Sequence, residues 1–112
     1  MKRSLLMMVI LLAGCGGGGD ATPPVILPGS VDVFTPGNTF SPFSVTIKLG
    51  GTVNFNITGT PHNVIFSRTV TGAPADINVV NNVVAARIFG TRGTFPYDCT
   101  VHPGMSGQVV VQ

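Results

Sequence analysis

The chain contains no glutamate, and its only acids are Asp20, Asp32, Asp76 and Asp98. Chemistry that relies on paired carboxylates for acid–base work therefore has little to draw on. Basic residues are also sparse: Lys2, Arg3, Lys48, Arg68, Arg87 and Arg92. They form no patch interleaved with aromatics, which speaks against a nucleic-acid partner. The apolar run at residues 5–12 (LLMMVILL) is too short to cross a bilayer as a helix. There is no internal repeat. The chain has 112 residues, with two cysteines and two histidines. That length suits one small domain.

The N-terminus carries targeting information. Lys2 and Arg3 precede the apolar run, and L-A-G-C follows at residues 12–15. A short basic start and an apolar core read as a secretory leader. The L-A-G-C stretch resembles a bacterial lipobox, which implies that Cys15 takes lipid and becomes the mature N-terminus. The plainer alternative is an ordinary signal cleaved near Ala13 or Gly14, with Cys15 incidental. The expected organisation is a signal peptide at 1–14, a lipidated Cys15 opening a tether at 15–30, and a folded domain at 31–112. The tether begins with glycines and stiffens after Pro23 and Pro24. The expected location is the periplasmic side of a bacterial membrane, held through the N-terminal lipid. Gly16 leans toward the outer membrane by analogy with enteric sorting rules. Without residues 1–14 the charges balance, so the basic isoelectric point is partly a property of the leader.

From Val31 onward the pattern is that of strands. Val45, Ile47 and Leu49 alternate with Ser44, Thr46 and Lys48, and Gly50-Gly51 marks a turn. Val53, Phe55 and Ile57 alternate with Thr52, Asn54 and Asn56. Val64 and Phe66 flank Ile65, a stretch expected to be covered on both faces. Residues 83–89 are another apolar stretch. Phe95, Tyr97 and Cys99 share a face after Gly93, and Val109 and Val111 close the chain in the same rhythm. Period-two alternation of β-branched and aromatic residues broken by Gly, Pro and Asn predicts strands. No helical period is convincing, although residues 74–84 could hold one short helical turn. The expected fold is all-β, a Greek-key sandwich of about seven or eight strands. Arg68, Arg87 and Arg92 are expected on solvated faces. Phe40 and Phe43 are expected to pack near a sheet edge.

Beyond the leader and Cys15, the chain keeps one Cys, two His and one Met: Cys99, His62, His102 and Met105. Three of them stand in C-T-V-H-P-G-M, and Pro103-Gly104 forces a tight loop between the last two. His62 opens a strand elsewhere, so a site using all four exists only in the folded chain. A thiolate, two imidazoles and a thioether form a soft mixed donor set, the His₂Cys-plus-Met pattern of type 1 copper. Zinc accepts Cys and His, but its structural sites rarely use Met. Singly, each residue has a bland reading: a core histidine, a methionine filling a gap, a small buried thiol. A lone thiol in an oxidising compartment is a liability unless a metal holds it. A disulfide to Cys15 is the alternative.

These residues are similar to those of the cupredoxins, the plastocyanin- and amicyanin-like small copper proteins. The likeness runs from Phe40 to Gln112. It is carried by F-S-P-F-S-V-T-I-K-L-G-G-T-V-N-F-N at 40–56, H-N-V-I-F at 62–66 and G-T-F-P-Y-D-C-T-V-H-P-G-M-S-G-Q-V-V-V at 93–111. The resemblance implies an eight-stranded Greek-key sandwich with one copper ion at one end. It implies His62, Cys99 and His102 in the trigonal plane, Met105 axial, and His102 nearest the surface as the electron port. By matching positions, Asn63 ties the two ligand-bearing segments together through Thr100. The loop between His102 and Met105 is the short, amicyanin-like version, and plastocyanin-like acidic docking clusters are missing.

The function expected is a mononuclear copper one-electron carrier serving redox partner proteins, not an enzyme. Copper oxidases and nitrite reductases need further imidazoles for additional copper ions, and this chain has only the two. The alternative is a copper-holding or copper-delivery lipoprotein using the same ligands. Delivery proteins favour exposed sites rich in Met or His, which this chain lacks.

Overall fold

The computed structural model describes residues 25–112. The leader, Cys15, the first part of the tether and the sorting residue Gly16 lie outside the described residues.

Eight strands follow one another: β1 (Ser30–Phe34), β2 (Ser44–Ile47), β3 (Thr52–Ile57), β4 (His62–Phe66), β5 (Ile77–Val80), β6 (Val83–Ile88), β7 (Gly93–Asp98) and β8 (Ser106–Val111). They form two sheets, β1-β3-β6 and β2-β8-β7-β4-β5. Only the β4–β5 and β7–β8 connections stay within a sheet, and every other link crosses between the two. β1 and β3 are parallel, as are β2 and β8, while the remaining pairs are antiparallel. This is the all-β sandwich that the alternation predicts.

The alternation works because inward faces supply the core. Val53, Phe55 and Ile57 of β3 are buried, as are Phe95 and Tyr97 of β7 and Val109 and Val111 of β8. The rings meet edge to face. Tyr97 lies 4.8 Å from Phe40, 5.3 Å from Phe55 and 5.9 Å from Phe66 between ring centroids. Phe66 in turn meets Phe89 at 5.8 Å. Phe55 comes from one sheet and Phe66 and Tyr97 from the other, so the contacts lock the layers together. Edge-to-face pairs add about 0.5–1.5 kcal/mol beyond their buried area. Tyr97 stands opposite Gly107 in the β7–β8 ladder. A Cβ at Gly107 would sit 2.6 Å from Tyr97 Cζ, so this glycine makes room for the ring.

Four expectations need correction. β2 ends at Ile47, so Leu49 falls in the turn after the strand and is part-exposed rather than a core position. Residues 74–84 hold no helical turn: they contain β5, the Asn81-Asn82 turn and the start of β6, and Asn82 takes a left-handed φ of 56°. Phe40 is buried, but Phe43 is exposed. Arg87 does more than face solvent. Its Nε donates to Ala75 O at 2.8 Å and its Nη2 to Asp76 O at 2.9 Å, pinning the segment before β5 onto β6. Arg68 pairs with the Asp76 carboxylate, which also accepts the Phe66 N–H at 2.9 Å. In β6, Val84 and Ile88 are exposed and alternate with the part-buried Ala85 and Arg87, so they lie on the face turned away from the other sheet.

Replacing Gly107 by alanine is expected to destabilise the domain by about 1–3 kcal/mol, since the new methyl overpacks against Tyr97. Urea unfolding of Gly107→Ala beside the parent protein measures this, and an unchanged midpoint would contradict the packing described.

Candidate metal centre

The end of the sandwich where β4 begins and β7 ends gathers the chemistry. β4 pairs with β7 through Ile65↔Asp98 and Phe66↔Tyr97. His62 at the start of β4 and Cys99 just past β7 therefore emerge at the same edge. The loop between β7 and β8 closes at its base. Cys99 N donates to Met105 O at 2.8 Å, and Met105 N donates to His102 O at 3.2 Å. Gly104 takes φ +83°, the left-handed conformation that a glycine adopts without cost, so the chain can turn back within two residues of His102.

His62, Cys99 and His102 converge. His62 Nδ1 lies 3.9 Å from Cys99 Sγ, His102 Nδ1 lies 3.6 Å from the same sulfur, and the two nitrogens are 3.1 Å apart. The three distances close a triangle whose centre is about 2 Å from every corner, the bond length from imidazole nitrogen or thiolate sulfur to a small transition-metal ion. The donors thus fit a single metal ion. Met105 is buried at the end of the same loop. His62 is fully buried and Cys99 nearly so, whereas His102 is half-buried. Burial, joined by the charge of neighbouring His102, pushes the His62 pKa below its ordinary value, which favours the neutral ring a metal needs.

The segments that carry these donors are tied directly. Asn63 Nδ2 donates to Thr100 Oγ1 at 2.7 Å, and Thr100 N donates to Asn63 Oδ1 at 2.8 Å. The Asn63–Thr100 link expected from the sequence is present in both directions. Asp98 and Ser106 close the last rung of the β7–β8 ladder, with the serine hydroxyl donating to the carboxylate.

Sequence reasoning passed over Thr60. Its Oγ1 lies 3.1 Å from His62 Nε2, the ring nitrogen turned away from the sulfur. Its signal was present in T-P-H, a hydroxyl two residues before a candidate ligand.

The comparisons agree with this geometry. The family model "Copper binding proteins, plastocyanin/azurin family" matches residues 30–112. Plastocyanin of Scenedesmus fuscus is 39% identical over 85 residues, covering 65% of this chain and 86% of that protein. Amicyanin-alpha of Methylorubrum extorquens is 35% identical over 88 residues, covering 75% of this chain and 73% of that one. Among solved structures, a reduced Cu(I) form of an amicyanin variant superposes with TM-score 0.66 at 27% identity, over 78% of this chain and 86% of that chain. A copper-containing nitrite reductase from Thermus scotoductus superposes with TM-score 0.67 at 23% identity, over 79% of this chain and 23% of that chain, a likeness of fold alone. With a family match over the whole described sandwich and a donor triangle sized for one ion, the chain belongs to the plastocyanin/azurin family of copper binding proteins, and its cofactor is copper.

Proposed function

We propose that this protein is a one-electron carrier with one type 1 copper ion held by His62, Cys99, His102 and Met105. The observation that carries this reading is the triangle of two Nδ1 atoms and one sulfur. Bound copper supplies a Cu(II)/Cu(I) couple that accepts and releases a single electron. The rest is done by the chain. The buried His62, Cys99 and Met105 keep water from competing for the site. The Asn63–Thr100 pair and the closed 99–105 loop hold the donors in place, so their geometry need not change with oxidation state. Three strong donors and one weak thioether serve both oxidation states. His102 is the least buried of the four donors, and a redox partner protein would approach there.

No enzymatic step is assigned to the chain. Its two histidines are both committed to this centre, and its relatives plastocyanin and amicyanin are electron carriers. The basic start, apolar run and L-A-G-C at the N-terminus support placement on the periplasmic side of a bacterial membrane, anchored through lipid on Cys15. The deep burial of three of the donors favours a retained ion over one handed on, and so a carrier over a copper-delivery lipoprotein.

Copper-loaded protein is expected to absorb strongly in the visible through thiolate-to-Cu(II) charge transfer, and Cys99→Ser to lose that band. Colour that survives Cys99→Ser would refute the ligand assignment. Slow loss of copper to a chelator alongside fast electron self-exchange is the expected pair of rates, whereas fast copper loss would favour the delivery role. Cys15→Ala is expected to move the protein from the membrane to the soluble periplasmic fraction and to end its labelling with fatty acid; a variant still bound to membranes would remove the anchor from this account.

A further inference from the structure

His62 uses its two ring nitrogens in opposite directions. Nδ1 faces Cys99 Sγ and His102 Nδ1, while Nε2 faces Thr60 Oγ1 at 3.1 Å. A neutral imidazole that offers a lone pair from Nδ1 must carry its proton on Nε2. That N–H is fully buried, and among the described residues Thr60 Oγ1 is its hydrogen-bond partner. Thr60 itself is exposed, so its hydroxyl proton can point to solvent and leave an oxygen lone pair for the ring.

The loop holding Thr60 is braced from two sides. Thr60 N donates to Thr58 O at 3.1 Å across Gly59, whose φ is +85°. Thr58 N donates to Thr35 Oγ1 at 3.1 Å, and that buried hydroxyl lies 3.2 Å from Thr58 O. Asn81 Nδ2 reaches Gly59 O at 3.5 Å. The hydroxyl is thus set in place by residues of the smaller sheet's end and of the β5–β6 turn, none of which belongs to the donor set.

We infer that Thr60 is a positioning residue that fixes His62 as the Nε2–H tautomer and so forms its Nδ1 donor before any metal binds. The inference rests on the reading of His62 Nδ1 as a copper ligand. Loss of the hydroxyl leaves the buried Nε2–H facing a methyl group. The proton then moves to Nδ1, where His102 Nδ1 or Cys99 Sγ accepts it, and the donor is blocked.

The test compares the full chain with Thr60→Val and Thr60→Ser. Nitrogen-15 NMR of the metal-free proteins reads the His62 tautomer, and competition with a chelator reads copper affinity. The expected result is Nε2–H in the parent and in Thr60→Ser, and a shift toward Nδ1–H in Thr60→Val. Copper affinity of Thr60→Val is expected to fall by about 10–100-fold, the usual cost of losing such an outer hydrogen bond, with Thr60→Ser near the parent value. A parent that is Nδ1–H, or a Thr60→Val protein that keeps either the parent tautomer or the parent affinity, overturns the inference. His62→Ala separates the two levels: if it keeps the visible band, the ligand reading fails, whereas the metal-free spectra decide the tautomer on their own.

Discussion

The two hydrogen bonds between Asn63 and Thr100 join segments that are far apart in sequence and extend the β4–β7 pairing beyond its last ladder pair, Ile65 with Asp98. Each bond spans from a residue beside one donor to a residue beside another. Without them, His62 and Cys99 would lie beyond the last β4–β7 ladder pair, and the ends of the two strands could splay apart there. With them, the distance between ring and sulfur becomes a property of the fold. Hydrogen bonds outside a metal's immediate ligands act in this way, by fixing the direction and basicity of the donors.

The aromatic core does the same work one layer deeper. Phe66 and Tyr97 pair across β4 and β7, and both rings pack on Phe55 of the opposite sheet. The strands that end at the donors are thus registered by bulky contacts a few residues back. Rigidity at the site follows from packing density below it, because close-packed side chains do not yield continuously. The position of Gly107 under Tyr97 belongs to this arrangement: a bare strand position accepts a ring that any larger neighbour would push aside.

Much of this was legible in the sequence. C-x-x-H-x-x-M and a strand-opening histidine named the three convergent donors and the buried methionine, because their residue types have few other uses when combined. Alternation named the inward faces of β3, β7 and β8. What escaped the sequence depends on where strands end and what lies opposite them. Leu49 continues the rhythm of β2, yet the strand stops at Ile47 where Gly50 turns the chain. Residues 83–89 look like an interior strand, but Val84 and Ile88 fall on its outward face, alternating with part-buried Ala85 and Arg87. Arg87 reads as a surface charge because its acceptors, two main-chain carbonyls, have no sequence signature. Thr60 was hidden for a related reason: a threonine before proline looks like loop chemistry until the ring it faces is placed.

Three of the four donors sit on one short loop whose two ends are bonded to each other through Cys99 N and Met105 O. Beyond that closure, the loop is tied to β4 through Thr100 and Asn63. Insertions between Cys99 and Met105 would alter the spacing of sulfur, ring and thioether while leaving the strands and their aromatic interior untouched. Donor spacing and folding are therefore separable in this architecture, and changes at a single hairpin tip could reset the spacing of the donors without remaking the two-sheet sandwich that carries it.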